Sequence, residues 1–106
     1  MKTREEIAIF EMELLELLKN VMDPEIEINI VDLGLIYEIN YDGDKSIAIE
    51  MTFSTPSCPL GDSIVTSIKE VIKQKYPDYT TTIEIVFDPP WSADLVSEEG
   101  KRILGL

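Results

Sequence analysis

The chain contains no histidine and a single cysteine, Cys58, among its 106 residues. The absence of histidine excludes Ser-His and Cys-His nucleophilic machinery and every imidazole-based metal site. One cysteine cannot form an internal disulfide, which agrees with a reducing compartment. Hydrophobic runs are also short, the longest being Ile7 to Phe10. We therefore expect no signal peptide and no membrane span, and we interpret the protein as cytoplasmic.

Basic residues are scarce, because 9 Lys and Arg stand against 21 Asp and Glu, which gives a formal net charge of -12. Nucleic-acid binding normally depends on clustered basic side chains, and the pair Lys101-Arg102 is the largest cluster here. We therefore expect no nucleic-acid partner. The 5 glycines are scattered, so a phosphate-binding loop of the Walker or Rossmann type is missing.

The length of 106 residues and the hydrophobic content of 44% are typical of one globular domain spanning 1–106. Helical spacing of apolar residues predicts helices over 4–21 and 60–76, and a short one opened by Ser97. Alternation predicts a hairpin over 35–53 and a third strand over 81–87. The fold class expected is α/β (α+β), a two-layer sandwich of a three-stranded sheet and helices in the order α-β-β-α-β-α. Sequence alone leaves open which hairpin strand the third strand joins.

Cys58 is the side chain best suited to bind a metal or to act as a nucleophile. Pro59 suits the first position of a helix, which would make Cys58 the N-cap. Backbone N–H groups and the positive end of the helix dipole would then favour thiolate over thiol. The alternative is that Cys58 is a small buried hydrophobic residue.

Three further groups of residues each have a functional and a purely structural interpretation. The carboxylates of Asp23-Pro24-Glu25 are either hard oxygen ligands or an acid/base pair, or they belong to a solvated turn that ends the first helix. Thr52, Ser54 and Thr55 either donate hydrogen bonds to a bound group or serve β-propensity and loop capping. Asp88-Pro89-Pro90-Trp91 is either a rigid corner that packs the tryptophan or an aromatic wall beside a site, and packing is the favoured interpretation.

Four motifs occur in order along the chain: Asp23-Pro24-Glu25, Val31-Asp32-Leu33-Gly34-Leu35-Ile36-Tyr37, Thr55-Pro56-Ser57-Cys58-Pro59-Leu60 and Asp88-Pro89-Pro90-Trp91-Ser92. Together they resemble the family of small iron-sulfur assembly factors that includes SufT and shares its domain with PaaD-type maturation proteins. The resemblance covers nearly the whole chain, although the additional cysteine-rich tail of PaaD-type members is missing after Leu106.

The resemblance implies a non-enzymatic role in the maturation of iron-sulfur proteins, with a transient iron-sulfur cluster. It implies that Cys58 is the cluster or metal contact, and that Asp23, Glu25 and Thr55 line the same cleft. It places Pro24, Gly34, Pro56, Pro59, Asp88 and Trp91 in the family's structural motifs. It also implies a loop over 26–31, where the alternating Ile26, Ile28 and Ile30 alone would suggest a strand.

A cluster ordinarily takes four protein ligands, mostly thiolates, whereas this chain supplies one. Incomplete ligation favours hand-over to another protein, and a homodimer would add one further Cys58. The expected partners are iron-sulfur assembly proteins and apo-client proteins, with a P-loop ATPase carrier as a further candidate. Two alternatives remain at this point: a thiol or redox enzyme that uses Cys58, and a metal-free adaptor in the same pathway.

Overall fold

The computed structural model describes residues 2–23, 28–53 and 61–105. The elements are α1 (Arg4–Leu18), β1 (Ile36–Tyr41), β2 (Ser46–Met51), α2 (Gly61–Lys75), β3 (Thr80–Ile85), a short 3-10 helix (Ala93–Leu95) and α3 (Glu98–Leu104). The predicted order α-β-β-α-β-α is confirmed, as is the α+β class.

Helix α1 begins as its sequence predicts and ends earlier. Thr3 and Glu6 form a capping box, since each backbone N–H donates to the other side chain, at 3.1 and 3.2 Å. The helix ends at Leu18 and not at the predicted residue 21. Val21 belongs to a new pairing instead, because its carbonyl oxygen accepts a hydrogen bond from the backbone N–H of Ile30 at 2.9 Å.

The sheet has the strand order β1-β2-β3. Strands β1 and β2 form the predicted antiparallel hairpin, with Tyr41 opposite Ile47. Strand β3 joins β2 in parallel, with Met51 opposite Ile85, so the sheet is mixed. A parallel pair needs a crossover connection, and α2 lies in that connection.

One face of the sheet carries the core. The inward side chains of β2, Ile47, Ile49 and Met51, are at most 1% exposed. They belong to one apolar cluster with residues from both long helices, among them Leu14, Leu18, Ile64, Ile68 and Ile72. The second helix therefore buries its apolar side chains in the same core as the hairpin, as predicted, and its closest backbone neighbours are α1 and β3. Within the described ranges, no helix is long and apolar enough to span a bilayer.

The alternation of Ile26, Ile28 and Ile30 predicted a strand, but the described residues 28–30 do not form one. Ile28 and Ile30 are buried, yet they lie outside the three strands, and an isolated bridge joins Asn29 to Met22. Burial of two isoleucines on a crossing segment, and not sheet pairing, explains the pattern. The strand interpretation is wrong for residues 28–30, whereas Ile26 lies outside the described residues.

Candidate functional site

The candidate site residues that the structure describes belong to one end of the sheet. Parallel pairing of Met51 with Ile85 means that β2 and β3 both leave the sheet at this end. Strand β1 starts there, because Ile36 also pairs with Met51. The described segments joined to this end are 28–35 before β1, 52–53 after β2 and 86–92 after β3.

Asp23 follows α1 and is hydrogen-bonded through its backbone to the segment that precedes β1. Its N–H donates to the carbonyl oxygen of Ile28 at 2.9 Å, beside the bridge between Met22 and Asn29. The residue is only 2% exposed. The interpretation of Asp23 as part of a solvated turn is therefore wrong: its carboxylate is enclosed by the fold.

Thr52 is fixed at the exit of β2. Its backbone N–H donates to the carbonyl oxygen of Leu35 at 2.9 Å, and the residue is fully buried. Leu35 in turn donates its N–H to Ile30, whose own N–H donates to Val21. This series of backbone bonds links the segment that carries Asp23 to the segment that carries Thr52.

Trp91 is anchored to the same end of the sheet. Its indole Nε1 donates to the carbonyl oxygen of Leu33 at 2.7 Å, and its half-buried ring packs against the core. A second bond, from the hydroxyl of Tyr37 to the carbonyl oxygen of Pro89 at 2.7 Å, holds the preceding corner, in which the Asp88-Pro89 peptide is cis. The packing interpretation of this corner is confirmed, and Asp88 itself is exposed.

Position 34 requires glycine because the backbone of Leu95 lies very close to it. Gly34 has a φ of 84°, and a Cβ at this position would lie 2.3 Å from the carbonyl oxygen of Leu95. Only glycine combines this backbone conformation with so short a distance. The turn that contains Gly34 therefore packs directly under the C-terminal segment.

Seven residues predicted for the site or its motifs lie outside the described residues: Pro24, Glu25, Ser54, Thr55, Pro56, Cys58 and Pro59. The prediction that Cys58 caps α2 falls there too, and the described part of that helix begins at Gly61. The described residues immediately before 54–60 are Phe53 and the buried Thr52, and those immediately after are the first turn of α2. Across the three described ranges, no three His, Cys, Asp or Glu side chains group as a metal site.

Asp32 lies in one of the four motifs, and its residue type alone predicted no role in the site. The Asp32 carboxylate accepts bonds from Asn29 Nδ2 at 2.6 Å and from Ser97 Oγ at 2.9 Å. The bond from Asn29, followed by that from Ser97, holds the pKa of Asp32 below its ordinary value of 3.8. The only sequence signal was the three-residue spacing from Asn29, which is typical of a side chain that organises a turn.

Comparisons with known proteins agree on one family. The profile of the family described as "Iron-sulfur cluster assembly protein" matches residues 11–85. The chain is 37% identical over 86 residues to the "Fe-S protein maturation auxiliary factor SufT" of Staphylococcus aureus, which covers 81% of this chain and 98% of that protein. It is 34% identical over 95 residues to an "Fe-S protein maturation auxiliary factor" of Porphyromonas gingivalis, which covers 90% of each chain.

Solved structures agree with the fold. A domain of unknown function, DUF59, from Bacillus anthracis matches with a TM-score of 0.93 and 32% identity over 98% of this chain and 99% of that chain. A conserved hypothetical protein of Thermotoga maritima matches with a TM-score of 0.75 and 34% identity over 99% of this chain and 96% of that one.

Proposed function

The chain belongs to the family of iron-sulfur cluster assembly proteins, and from this premise we propose that it is a non-enzymatic factor in the maturation of iron-sulfur proteins. The observation that carries the proposal is its similarity, along most of both chains, to proteins named Fe-S protein maturation auxiliary factors. We take 1–106 as one domain for this role and the cytoplasm as its location.

The cluster is cargo in this proposal and not a resident cofactor. A resident cluster ordinarily has four protein ligands, mostly thiolates, and this chain has one cysteine and no histidine. Cys58 is the proposed contact with the cluster. Because one thiolate leaves the cargo incompletely ligated, its remaining ligands come from a partner or a small thiol, which favours transfer over storage.

Five further residues are proposed to support Cys58. We propose Thr52, Ser54 and Thr55 as hydrogen-bond donors to the cargo or to the sulfur, and Asp23 and Glu25 as sources of carboxylate oxygens. The buried Thr52 hydroxyl donates to the carbonyl oxygen of Phe53 at 3.5 Å and would have to exchange that long bond for one to the cargo. A nearby carboxylate opposes thiolate formation, so the backbone N–H groups at the start of α2 or a bound cation must compensate for it.

The proposed partners are iron-sulfur assembly proteins and apo-client proteins, with a P-loop ATPase carrier as the proposed cluster donor. A second copy of the chain would supply one more Cys58. The size of the cargo-loaded protein in solution tests that arrangement directly.

The first experiment is complementation in cells that lack this protein. Wild type, Cys58→Ser and the neighbouring control Ser57→Ala are expressed at equal levels, and the activity of an iron-sulfur client enzyme is divided by its amount. We expect Ser57→Ala to restore the activity and Cys58→Ser to fail. Full activity of Cys58→Ser would favour the metal-free adaptor, and no change in any client on loss of the protein would overturn the maturation role.

The second experiment is transfer in vitro under anaerobic conditions. Iron and sulfide are added to wild type and Cys58→Ala, and absorbance, iron content and molecular size are measured before and after addition of an apo-client. Uptake that depends on Cys58, followed by loss of iron to the client, supports transfer. Rapid alkylation of Cys58 with turnover of an electrophile, and no iron uptake, would instead identify a thiol enzyme.

A further inference from the structure

A groove lies between α1 and β1, and its α1 side chains are not the buried Phe10, Leu14 and Leu18. It has a volume of about 380 Å³, and its lining residues are Ala8, Glu11, Met12, Leu15, Ile36, Tyr37, Glu38 and Ile39. Met12 is 68% exposed and Leu15 is 36% exposed. These side chains recur at helical steps on one stripe of α1, so the helix has a second apolar stripe that the core does not use.

A row of three glutamates crosses the sheet beside this groove. Glu38 of β1 is opposite Glu50 of β2, and Glu50 is opposite Glu84 of β3. They lie on the sheet face that the helices leave open, where Glu38 and Glu84 are exposed and Glu50 is half-buried, and where Asn40, Ala48 and Thr82 are exposed. Neighbouring strands are about 4.8 Å apart, so the row spans about 10 Å.

Glu38 belongs to both features, since it lines the groove and begins the row. No described lysine or arginine forms an ion pair with any of the three glutamates, and the ion pairs found are Lys19 with Glu16 and Arg102 with Glu99. None of the 9 basic residues lines the groove. The groove and the row therefore form one continuous surface, apolar at one side and negatively charged at the other, which we call the acidic groove surface.

We propose that the acidic groove surface docks a basic amphipathic segment of another protein, with apolar side chains in the groove and lysine or arginine along the glutamate row. Charge complementarity carries the choice of occupant. A second copy would bring another net charge of -12 and no excess of basic side chains to the interface. An anionic small molecule is opposed by Glu38 and by Glu11 at the groove.

Glu11 also limits where the docked segment of the other protein lies in the groove. Its Oε2 accepts the backbone N–H of Tyr41 at 2.8 Å, which satisfies the outer edge of β1 at that end. The open part of the groove is thus beside residues 36–39, adjacent to Glu38. The surface contains no residue assigned to the maturation site, so the two proposals fail separately.

The test uses a synthetic peptide with leucine on one helical face and lysine on the other. One control peptide has glutamate in place of lysine, and another has the same composition in scrambled order. Binding is measured by fluorescence anisotropy at two salt concentrations, and the contact residues are mapped from backbone amide NMR shifts. We expect the lysine peptide to bind most tightly, to shift residues of the acidic groove surface, and to weaken as salt rises.

Charge-reversal variants provide the decisive comparison. Glu38→Lys, Glu50→Lys and Glu84→Lys together are expected to weaken peptide binding about tenfold or more. The control reverses three exposed acids elsewhere, Glu70, Asp78 and Asp94, with the same change in net charge, and is expected to alter binding by less than about twofold. A second triple variant has glutamine at the three row positions. It removes the negative charges but, unlike the lysine variant, does not repel the lysine side chains of the peptide.

Truncation of an apolar side chain in the groove gives an independent check. Met12→Ser is expected to weaken binding, whereas the control Ile103→Ser, at a similarly exposed position on α3, is expected to leave it unchanged. Equal losses in the two triple variants would reduce the effect to bulk charge and overturn the proposal. So would equal binding of the glutamate or scrambled peptide, shifts confined to another face, or a wild-type homodimer formed through this surface. Cys58→Ser retains peptide binding if this surface acts separately from the maturation site.

Discussion

Asp32 and Ser97 are 65 residues apart in sequence and are joined by two hydrogen bonds. The Ser97 hydroxyl donates to the Asp32 carboxylate at 2.9 Å, and the Ser97 backbone N–H donates to the Asp32 carbonyl oxygen at 2.7 Å. Ser97 is also the N-cap of α3, where its hydroxyl accepts the N–H of Gly100 at 3.0 Å. The start of α3 is thereby attached to the turn that precedes β1.

Replacing Asp32 by Asn should lower the free energy of unfolding by about 1 kcal/mol, because the site is partly exposed. An asparagine amide would face the Nδ2 group of Asn29, which now donates to the carboxylate at 2.6 Å. Urea unfolding measures the change. Asp94→Asn, at an exposed position, is the control and should leave stability within about 0.5 kcal/mol of wild type.

The same carboxylate should contribute to acid unfolding. Its pKa is lowered in the folded state by the bonds from Asn29 and Ser97. Its stabilisation is therefore full above the unfolded pKa and is lost as the pH falls through the lower folded pKa. Unfolding measured from about pH 6 down to about pH 2 should show a smaller acid loss in Asp32→Asn than in Asp94→Asn. An unchanged acid profile would assign the loss to other carboxylates.

Tyr41 should limit stability at the alkaline end. Its ring is 5% exposed and its hydroxyl donates to the carbonyl oxygen of Asp44 at 2.7 Å. Burial, followed by the neighbouring Tyr79, raises its pKa from 10.0 to about 12. Because the neutral form is favoured in the folded state, the stabilisation is full below the unfolded pKa and is lost between about pH 10 and about pH 12. Tyr41→Phe should show a smaller alkaline fall than wild type, with a remainder from Tyr76, whose pKa is also raised by burial. Tyr37→Phe should retain the wild-type fall.

Local patterns predicted the elements well and their ends less well. The capping pair Thr3 and Glu6 and the turn at Asp42-Gly43 act within a few residues, so the sequence reveals them directly. The early end of α1 depends on Val21 meeting Ile30, a contact that helical periodicity does not contain. The parallel pairing of β3 was likewise open, because alternation shows which face of a strand is apolar and not which neighbour it has.

The sequence allowed candidate site residues to be chosen by residue type, but not their burial or their arrangement in space. Asp23 and Thr52 were named, but their burial follows from the ladder through Leu35 and Ile30, which links segments far apart in sequence. The glutamate row was missed for a related reason. Each glutamate occupies an ordinary outward position on its own strand, and only the register aligns all three.

Glu50 lies in the middle of that row, so its charge should destabilise the fold. Like charges directly opposite one another on a sheet are unfavourable, and Glu50 faces Glu38 on one side and Glu84 on the other. Glu50→Gln should raise the free energy of unfolding by about 0.5 kcal/mol, with the gain shrinking at high salt. Glu70→Gln on α2 is the matched control and should produce no such gain. A loss of stability in Glu50→Gln would show that the glutamates are not in repulsive contact.

Two glycines with similar backbone angles separate conformational cost from steric cost. Gly34 has a φ of 84° and Gly105 a φ of 77°, but an added Cβ meets the Leu95 carbonyl oxygen at 2.3 Å in the first case and nothing within 4 Å in the second. Gly105→Ala should therefore cost about 1 kcal/mol, the backbone term alone.

Gly34→Ala should cost that amount and at least about 2 kcal/mol more, because backbone has to move in either the turn or the 3-10 helix. Thermal unfolding of the two variants measures the difference. The indole N–H signal of Trp91 provides a second readout, since its acceptor is the carbonyl oxygen of the adjacent Leu33. Equal costs in the two variants would mean that the turn and the 3-10 helix separate easily. A larger cost together with a shifted indole signal would show that Gly34 holds the corner at Trp91 in place at the end of the sheet.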